Sequence, residues 1–337
     1  MKTLVNRLSS LSLRKNKTLK NRVVVPSMAS ETATEEGFVT TNTIRHYQNL
    51  AEAGAGLLIV EYTFVHPSGR SEKNQLGIST DAHGEGLSKI AKIIRDSGAV
   101  AGIQFSHGGS KSERGLTGGV LMGPSAVAVP VKDKQTEIAD PMTLEEINLW
   151  KDSFIAAADR AVTAGFDLIE LHSAHGYGLN QWLSPLTNKR DDIYGRDLNG
   201  RARMLLEIVH AIRARHPGLL ISVRIPGQDF IEGGLTNADS ICIAKSLEDA
   251  GVDIINVSSG VGGWRRPALR VGEGYLVSDA AKIQPHIKIP VIGVGGIETG
   301  GFIDQALNEG LFSLAAVGRA ILKAPKDWGE NNLHGSI

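Results

Sequence analysis

The sequence is poor in several things that whole classes of protein require. It has one cysteine, Cys242, in 337 residues. A single thiol excludes an intramolecular disulfide, a cysteine-rich zinc site and a cysteine-held iron–sulfur cluster. Neither sign of charge is in excess: 36 Lys and Arg meet 36 Asp and Glu. Nucleic-acid binding usually leaves a basic excess or stripe, so no nucleic-acid partner is expected. No apolar run reaches the roughly 18 residues of a membrane-crossing helix, so no membrane partner is expected either. The basic stretch up to Asn16 lacks an apolar core and does not read as a secretory signal, which points to the cytoplasm. What the sequence has in quantity is glycine, 39 residues spread along the chain, well above the usual roughly 7%. Many tight turns, or backbone lying close to a ligand, follow from that.

The rest of the composition is ordinary for a globular protein, 42% hydrophobic and 21% charged. Short apolar runs alternate with amphipathic ones. The β-like runs are 22–26, 56–62, 100–107, 167–172, 219–225, 253–259, 290–295 and 313–317. Helical periodicity lies between them, at 42–53, 84–96, from Thr143 to Gly165, 199–216, 237–250, 278–286 and 302–308. Thr143 with Glu146 three residues on is a capping-box pattern, and Ile147, Phe154, Ala158 and Val162 are expected on the buried face of that helix. Near-continuous apolar strands mean burial on both faces, as in a parallel sheet covered by helices. Eight βα units in a chain of this length predict an α/β fold, a (β/α)8 TIM barrel. It is expected as a single domain over 1–337, with an inserted excursion after strand three, 108–141, too long for a plain connection. An open doubly wound sheet is the alternative.

In such a barrel the functional side chains sit at the C-terminal ends of the strands. Those ends carry Pro26, Ser27, Met28 and Ala29; Glu61 and Tyr62; Gln104 and His107; His172, His175 and Tyr177; Arg224; Ser258 and Ser259; Gly295 and Gly296; and Gly318 with Arg319. Glycines on the last two strands, with one arginine, suit a phosphate held by backbone N–H groups; glycines serving only turns are the bland alternative. Two imidazoles beside a phenol can bind a carbonyl oxygen and supply a proton. They could also begin a metal site, with Glu170 or His107 as third ligand. Arg224 inside an apolar strand requires an anion, from the protein or from a ligand. The amide of Gln104 suits a heterocycle with mixed donor and acceptor edges. A phosphorylated heterocycle such as flavin mononucleotide satisfies these ends together, though spacing alone does not choose it over other phosphorylated ligands.

Several stretches resemble one family. Leu19–Lys20–Asn21–Arg22–Val23–Val24, Gln104–Phe105–Ser106–His107–Gly108 and His172–Ser173–Ala174–His175–Gly176–Tyr177 are similar to motifs of the Old Yellow Enzyme family of FMN-dependent ene-reductases. So are Leu183–Ser184–Pro185–Leu186, Asn188–Lys189–Arg190–Asp191–Asp192, Tyr194–Gly195, Arg201–Ala202–Arg203, Val223–Arg224 and Val317–Gly318–Arg319. The resemblance runs from about residue 2 to about residue 325. It implies a barrel holding FMN non-covalently, NADH or NADPH as reductant, and an enone or similar small molecule as substrate. It calls for no metal and leaves room for a homo-oligomer. His172 and His175 would hold the substrate carbonyl and Tyr177 would protonate the α-carbon. Arg224 would face the reduced flavin, Gln104 its pyrimidine edge, Pro26 to Ala29 and Tyr62 its ring. Gly295, Gly296, Gly318 and Arg319 would hold its phosphate.

The departures are specific. Ala29 stands where the family usually has Cys or Thr, and Glu31 where relatives with that Cys often have Tyr. Ser110 replaces a common arginine, and the tail after Trp328 lacks an aromatic–arginine ending. Three other readings compete. A redox-neutral aldolase or isomerase would need a catalytic lysine or carboxylate, for which Glu61 is the candidate. The others are a metal-dependent hydrolase and a flavin-binding protein without turnover.

Overall fold

A computed structural model describes residues 5–130, 136–263, 268 and 270–333. Eight parallel strands close into a barrel in simple sequential order. They are β1 (Val23–Val25), β2 (Leu57–Phe64), β3 (Val100–Ser106), β4 (Leu168–His172), β5 (Leu220–Pro226), β6 (Ile254–Ser258), β7 (Val291–Gly293) and β8 (Leu314–Ala316). β8 pairs back onto β1 through Ala315 with Val23 and Ala316 with Val24. The helices of the βα units are α1 (Thr41–Ala51), α2 (Gly84–Asp96), α3 (Leu144–Ala164), α5 (Leu198–Arg215), α6 (Asn237–Asp249), α7 (Val277–Ile283) and α8 (Gly300–Asn308). The TIM-barrel expectation therefore holds. The excursion after β3 carries a two-residue parallel ladder, Met122–Gly123 with Asp140–Pro141.

Every barrel strand is buried on both faces, and alternation along it separates two packing layers. Leu58, Val60, Ile103, Ile169 and Ile221 face outward onto the helices. Val24, Leu57, Ile59, Leu168, Leu220, Ile254, Ile292 and Leu314 face inward and fill the N-terminal half of the barrel. Leu19 closes that end; its short antiparallel ladder with Leu11 lies beneath the barrel.

α3 begins and ends where the capping signals put it. Thr143 Oγ1 accepts from the Glu146 N–H and Glu146 Oε2 accepts from the Thr143 N–H, while Gly165 closes the helix at φ 89°. Its buried face is Ile147, Trp150, Phe154, Ala157, Ala158 and Ala161. Val162 is a correction: it is 40% exposed. Two four-residue steps from Phe154 advance about 80° around the helix, which carries position 162 off the stripe that 150 and 157 share.

Three helices were not read from the sequence: α4 (Gly178–Leu183), α9 (Arg319–Lys323) and α10 (Pro325–Leu333). The last replaces an expected short tail; it packs on α1 and α9 and buries Trp328 and Leu333.

Candidate active site

A cavity of about 710 Å³ opens at the C-terminal mouth of the barrel, and all three candidate catalytic residues and all eleven candidate cofactor residues line it. The barrel interior turns polar immediately beneath it. Gln104 on β3, Glu170 on β4, Ser222 on β5 and Asn256 on β6 project inward and bond to one another. Ser27 Oγ donates to Gln104 Oε1 at 2.9 Å, and Gln104 Nε2 donates to Glu170 Oε1 at 2.7 Å. Glu170 Oε2 accepts from Ser222 Oγ and Asn256 Nδ2, each at 2.9 Å. A buried carboxylate is tolerated because its oxygens are hydrogen-bonded. This carboxylate also holds the Gln104 amide in one orientation, and so shapes the floor of the cavity.

Strand alternation would point Glu61 inward. β2 instead shifts register between Val60 and Thr63, and this irregularity reverses the parity. Tyr62 reaches the cavity. Glu61 turns towards α1, where it accepts from the Ser30 N–H at 3.1 Å and from Tyr47 Oη at 3.1 Å. Glu61 therefore lies outside the lining and pins the turn after Ala29.

The segment after β4 gathers the catalytic candidates. His175 at φ 59° and Gly176 at φ 76° form a left-handed pair. A Cβ on Gly176 would meet the Val261 carbonyl oxygen at 2.7 Å, so the tight turn needs glycine. The turn folds positions 172, 175 and 177 onto one another: the His172 ring lies 5.1 Å from His175 and 4.7 Å from Tyr177, centroid to centroid. Burial holds both imidazoles well below their ordinary pKa, and the Arg224 charge adds to it. Both are neutral at pH 7. Burial pushes the Tyr177 phenol up to about 12, with Glu72 contributing, while Tyr62 and Ser71 hydrogen bonds pull it back down. Tyr177 thus stays protonated at physiological pH.

Arg224 is 5% exposed, and its Nε has no hydrogen-bond partner. Among the described residues it forms no ion pair; its one side-chain contact is from Nη2 to Ser258 Oγ at 3.4 Å. Burial disfavours its charge, and the fields of Glu170 and Tyr275 offset part of that. A buried guanidinium with an orphaned donor, lining a cavity, is suited to an anionic or carbonyl-bearing ligand.

Opposite it, Gly295 and Gly296 have φ of 121° and 68°. A Cβ on Gly295 would strike the Leu276 amide nitrogen at 2.6 Å, and one on Gly296 would come within 3.4 Å of Arg319 Nη2. The Arg319 guanidinium therefore lies beside a bare glycine turn, an arrangement suited to a phosphate. These features fit FMN: a cradle at one side, an unsatisfied cation in the middle, and an oriented amide on the floor.

The metal reading loses its third ligand. Glu170 is committed to its three donors, and the His107 ring packs on Trp150 at 3.7 Å with Nε2 against Ser68 Oγ. Sequence reasoning missed Lys111 and Tyr275, which also line the cavity. Lys111 Nζ sits 3.9 Å from the centre of the Tyr177 ring and donates to the His175 carbonyl at 3.0 Å. It comes from the excursion, and no strand-end rule could have found it.

A family model described as "NADH:flavin oxidoreductase / NADH oxidase family" matches residues 12–330. The NADPH dehydrogenase of Bacillus subtilis is 37% identical over 312 residues, 92% of this chain and 90% of that protein. The structure superimposes on 2-naphthoyl-CoA reductase with a TM-score of 0.90 at 26% identity; the match covers 97% of this chain and 52% of that one. The old yellow enzyme homologue from Zymomonas mobilis gives a TM-score of 0.82 at 23% identity, over 98% of this chain and 94% of that one, a likeness of fold. The chain belongs to the NADH:flavin oxidoreductase family, the Old Yellow Enzyme family, and is an FMN-dependent enzyme that draws its electrons from NAD(P)H.

Proposed function

We propose that this enzyme reduces the carbon–carbon double bond of α,β-unsaturated carbonyl compounds. One observation carries the reading: two neutral imidazoles and a protonated phenol share a cavity with a guanidinium that has no ion-pair partner among the described residues. His172 and His175 donate hydrogen bonds to the substrate carbonyl oxygen. Because negative charge grows there as the alkene accepts hydride, such donors act most strongly in the transition state. FMN held in this cavity would supply the hydride, with the nicotinamide as the source of electrons. Tyr177 then gives its proton to the α-carbon. A general acid should keep its proton until the reaction needs it, and a phenol near 12 does so at every physiological pH.

The same cavity lining would hold the cofactor. Arg224 would offset negative charge on the reduced ring, and Gln104, oriented by Glu170, would meet the pyrimidine edge. Pro26, Ser27, Met28, Ala29 and Tyr62 would line the ring, and Gly295, Gly296, Gly318 and Arg319 would bind the phosphate. The aldolase or isomerase reading is weakened because Glu61, its candidate carboxylate, bonds Ser30 and Tyr47 outside the cavity.

The test is an absorption spectrum of the purified protein under anaerobic conditions. Flavin bands should bleach with NADH or NADPH and return on adding 2-cyclohexenone. Bleaching without return would leave an NAD(P)H-oxidising flavoenzyme and remove enones from its substrates.

A further inference from the structure

The two imidazoles are held differently. His172 Nδ1 is buried with no partner. His175 Nε2 lies 2.6 Å from Ser258 Oγ, at the end of β6. That hydroxyl has a second neighbour, Arg224 Nη2 at 3.4 Å. Ser258 and His175 are both buried, at 0% and 3% exposure.

A guanidinium carries only donors, so Ser258 Oγ is the acceptor in its contact with Arg224. Among the described residues the hydroxyl has only these two side-chain contacts. Its single proton therefore has one acceptor within reach, the His175 ring nitrogen. A neutral imidazole has one N–H and one lone pair. If the lone pair is on Nε2, the proton is on Nδ1. The opposite assignment would leave the serine proton buried and unsatisfied.

We propose that Ser258 is a positioning residue that fixes the tautomer of His175. It accepts from Arg224 and donates to Nε2, which keeps the proton on Nδ1. The imidazole then meets the substrate as a donor of fixed orientation. This deepens the carbonyl-binding role proposed above for His175 and rests on it. It also joins the two ends of the chemistry, since Arg224 both offsets the ring charge and anchors the chain Arg224–Ser258–His175. Relays of this kind set ring tautomers where histidines bind metals, and the same logic applies to a hydrogen-bond donor.

Histidine labelled with nitrogen-15 in the FMN-loaded enzyme reads the tautomer directly, with the His175 signals identified by their loss in His175→Gln. Wild type should carry the proton on Nδ1. Ser258→Ala should move it to Nε2 in a measurable fraction of molecules and weaken 4-hydroxybenzaldehyde binding about five- to tenfold, roughly one hydrogen bond. Ser258→Thr, which keeps the hydroxyl, should restore both. If Ser258→Ala does not hold FMN, Ser258→Cys replaces it; its thiol is a weak donor and should give an intermediate tautomer ratio. A wild-type ring protonated on Nε2 overturns the proposal, as does an unchanged tautomer in whichever of Ser258→Ala and Ser258→Cys is the variant that holds FMN. Failure of the carbonyl reading is distinct: aldehyde affinity would then ignore His175→Gln while the tautomer still followed Ser258.

Discussion

The two halves of the barrel interior are made by the same strands and obey opposite rules. In the N-terminal half, Leu57, Ile59, Leu168, Leu220, Ile254 and Leu314 form a closed apolar plug. Two residues further along β4 and β5, the inward positions become Glu170 and Ser222; further still come His172 and Arg224. The plug needs only volume and apolar surface, so one aliphatic residue can stand for another. The upper half depends on which atom faces which. Rotating the Gln104 amide would turn its carbonyl oxygen against the Glu170 carboxylate, and leaving Glu170 without its donors would strand a buried charge. Stability is concentrated below and chemistry above, and the register between strands keeps the two levels in line.

The most severe way to separate these halves is at Tyr177. Tyr177→Phe should slow alkene reduction about 10²- to 10⁴-fold, with flavin reduction by NADPH near wild type, read as two half-reactions by stopped flow. Equal loss in both would argue against an acid role. In wild type the acid must be protonated, and its pKa is raised to about 12. Alkene reduction should therefore stay level across neutral and mildly alkaline pH and fall only as pH rises through about 12, a profile measured up to the limit of enzyme stability.

Leu168→Ala attacks the plug instead. It should cost about 2–5 kcal/mol of unfolding free energy, measured by urea denaturation, while leaving the FMN affinity of the folded protein close to wild type. A large loss of affinity would mean that the halves are mechanically coupled. Arg319→Ala tests the cradle. It should weaken FMN about tenfold to a hundredfold, the loss of a charge-assisted contact worth about 1.5–3 kcal/mol, with little change in urea stability of the apoprotein. The smallest effect is expected at Ala29, whose methyl offers the ring no hydrogen bond. Ala29→Cys should raise the flavin midpoint potential by about 20 mV, roughly 1 kcal/mol for a two-electron couple; an unchanged potential would remove this position from redox tuning.

The barrel was legible because burial on both faces leaves a plain mark: β4 and β5 read as apolar runs, and capping signals such as Thr143 with Glu146 mark where helices begin. Every named site residue was likewise reachable, because the strand-end rule needs only the order of elements. Lys111, Tyr275 and α10 were not. Lys111 and Tyr275 arrive from loops whose path depends on what they pack against, and α10 forms where Trp328 and Leu333 are buried beside α1 and α9.

The sequence by itself determined the alternation of elements, the candidate residues and their chemical types, because those follow from periodicity and from what each side chain can donate or accept. Only the tertiary structure decided the parity of β2, which sends Tyr62 into the cavity and Glu61 out of it. It alone left Arg224 without an ion pair among the described residues and set Ser258 against His175. These are facts about distances between strands far apart in the chain, and a side chain's protonation, partner and exposure depend on its neighbours in space.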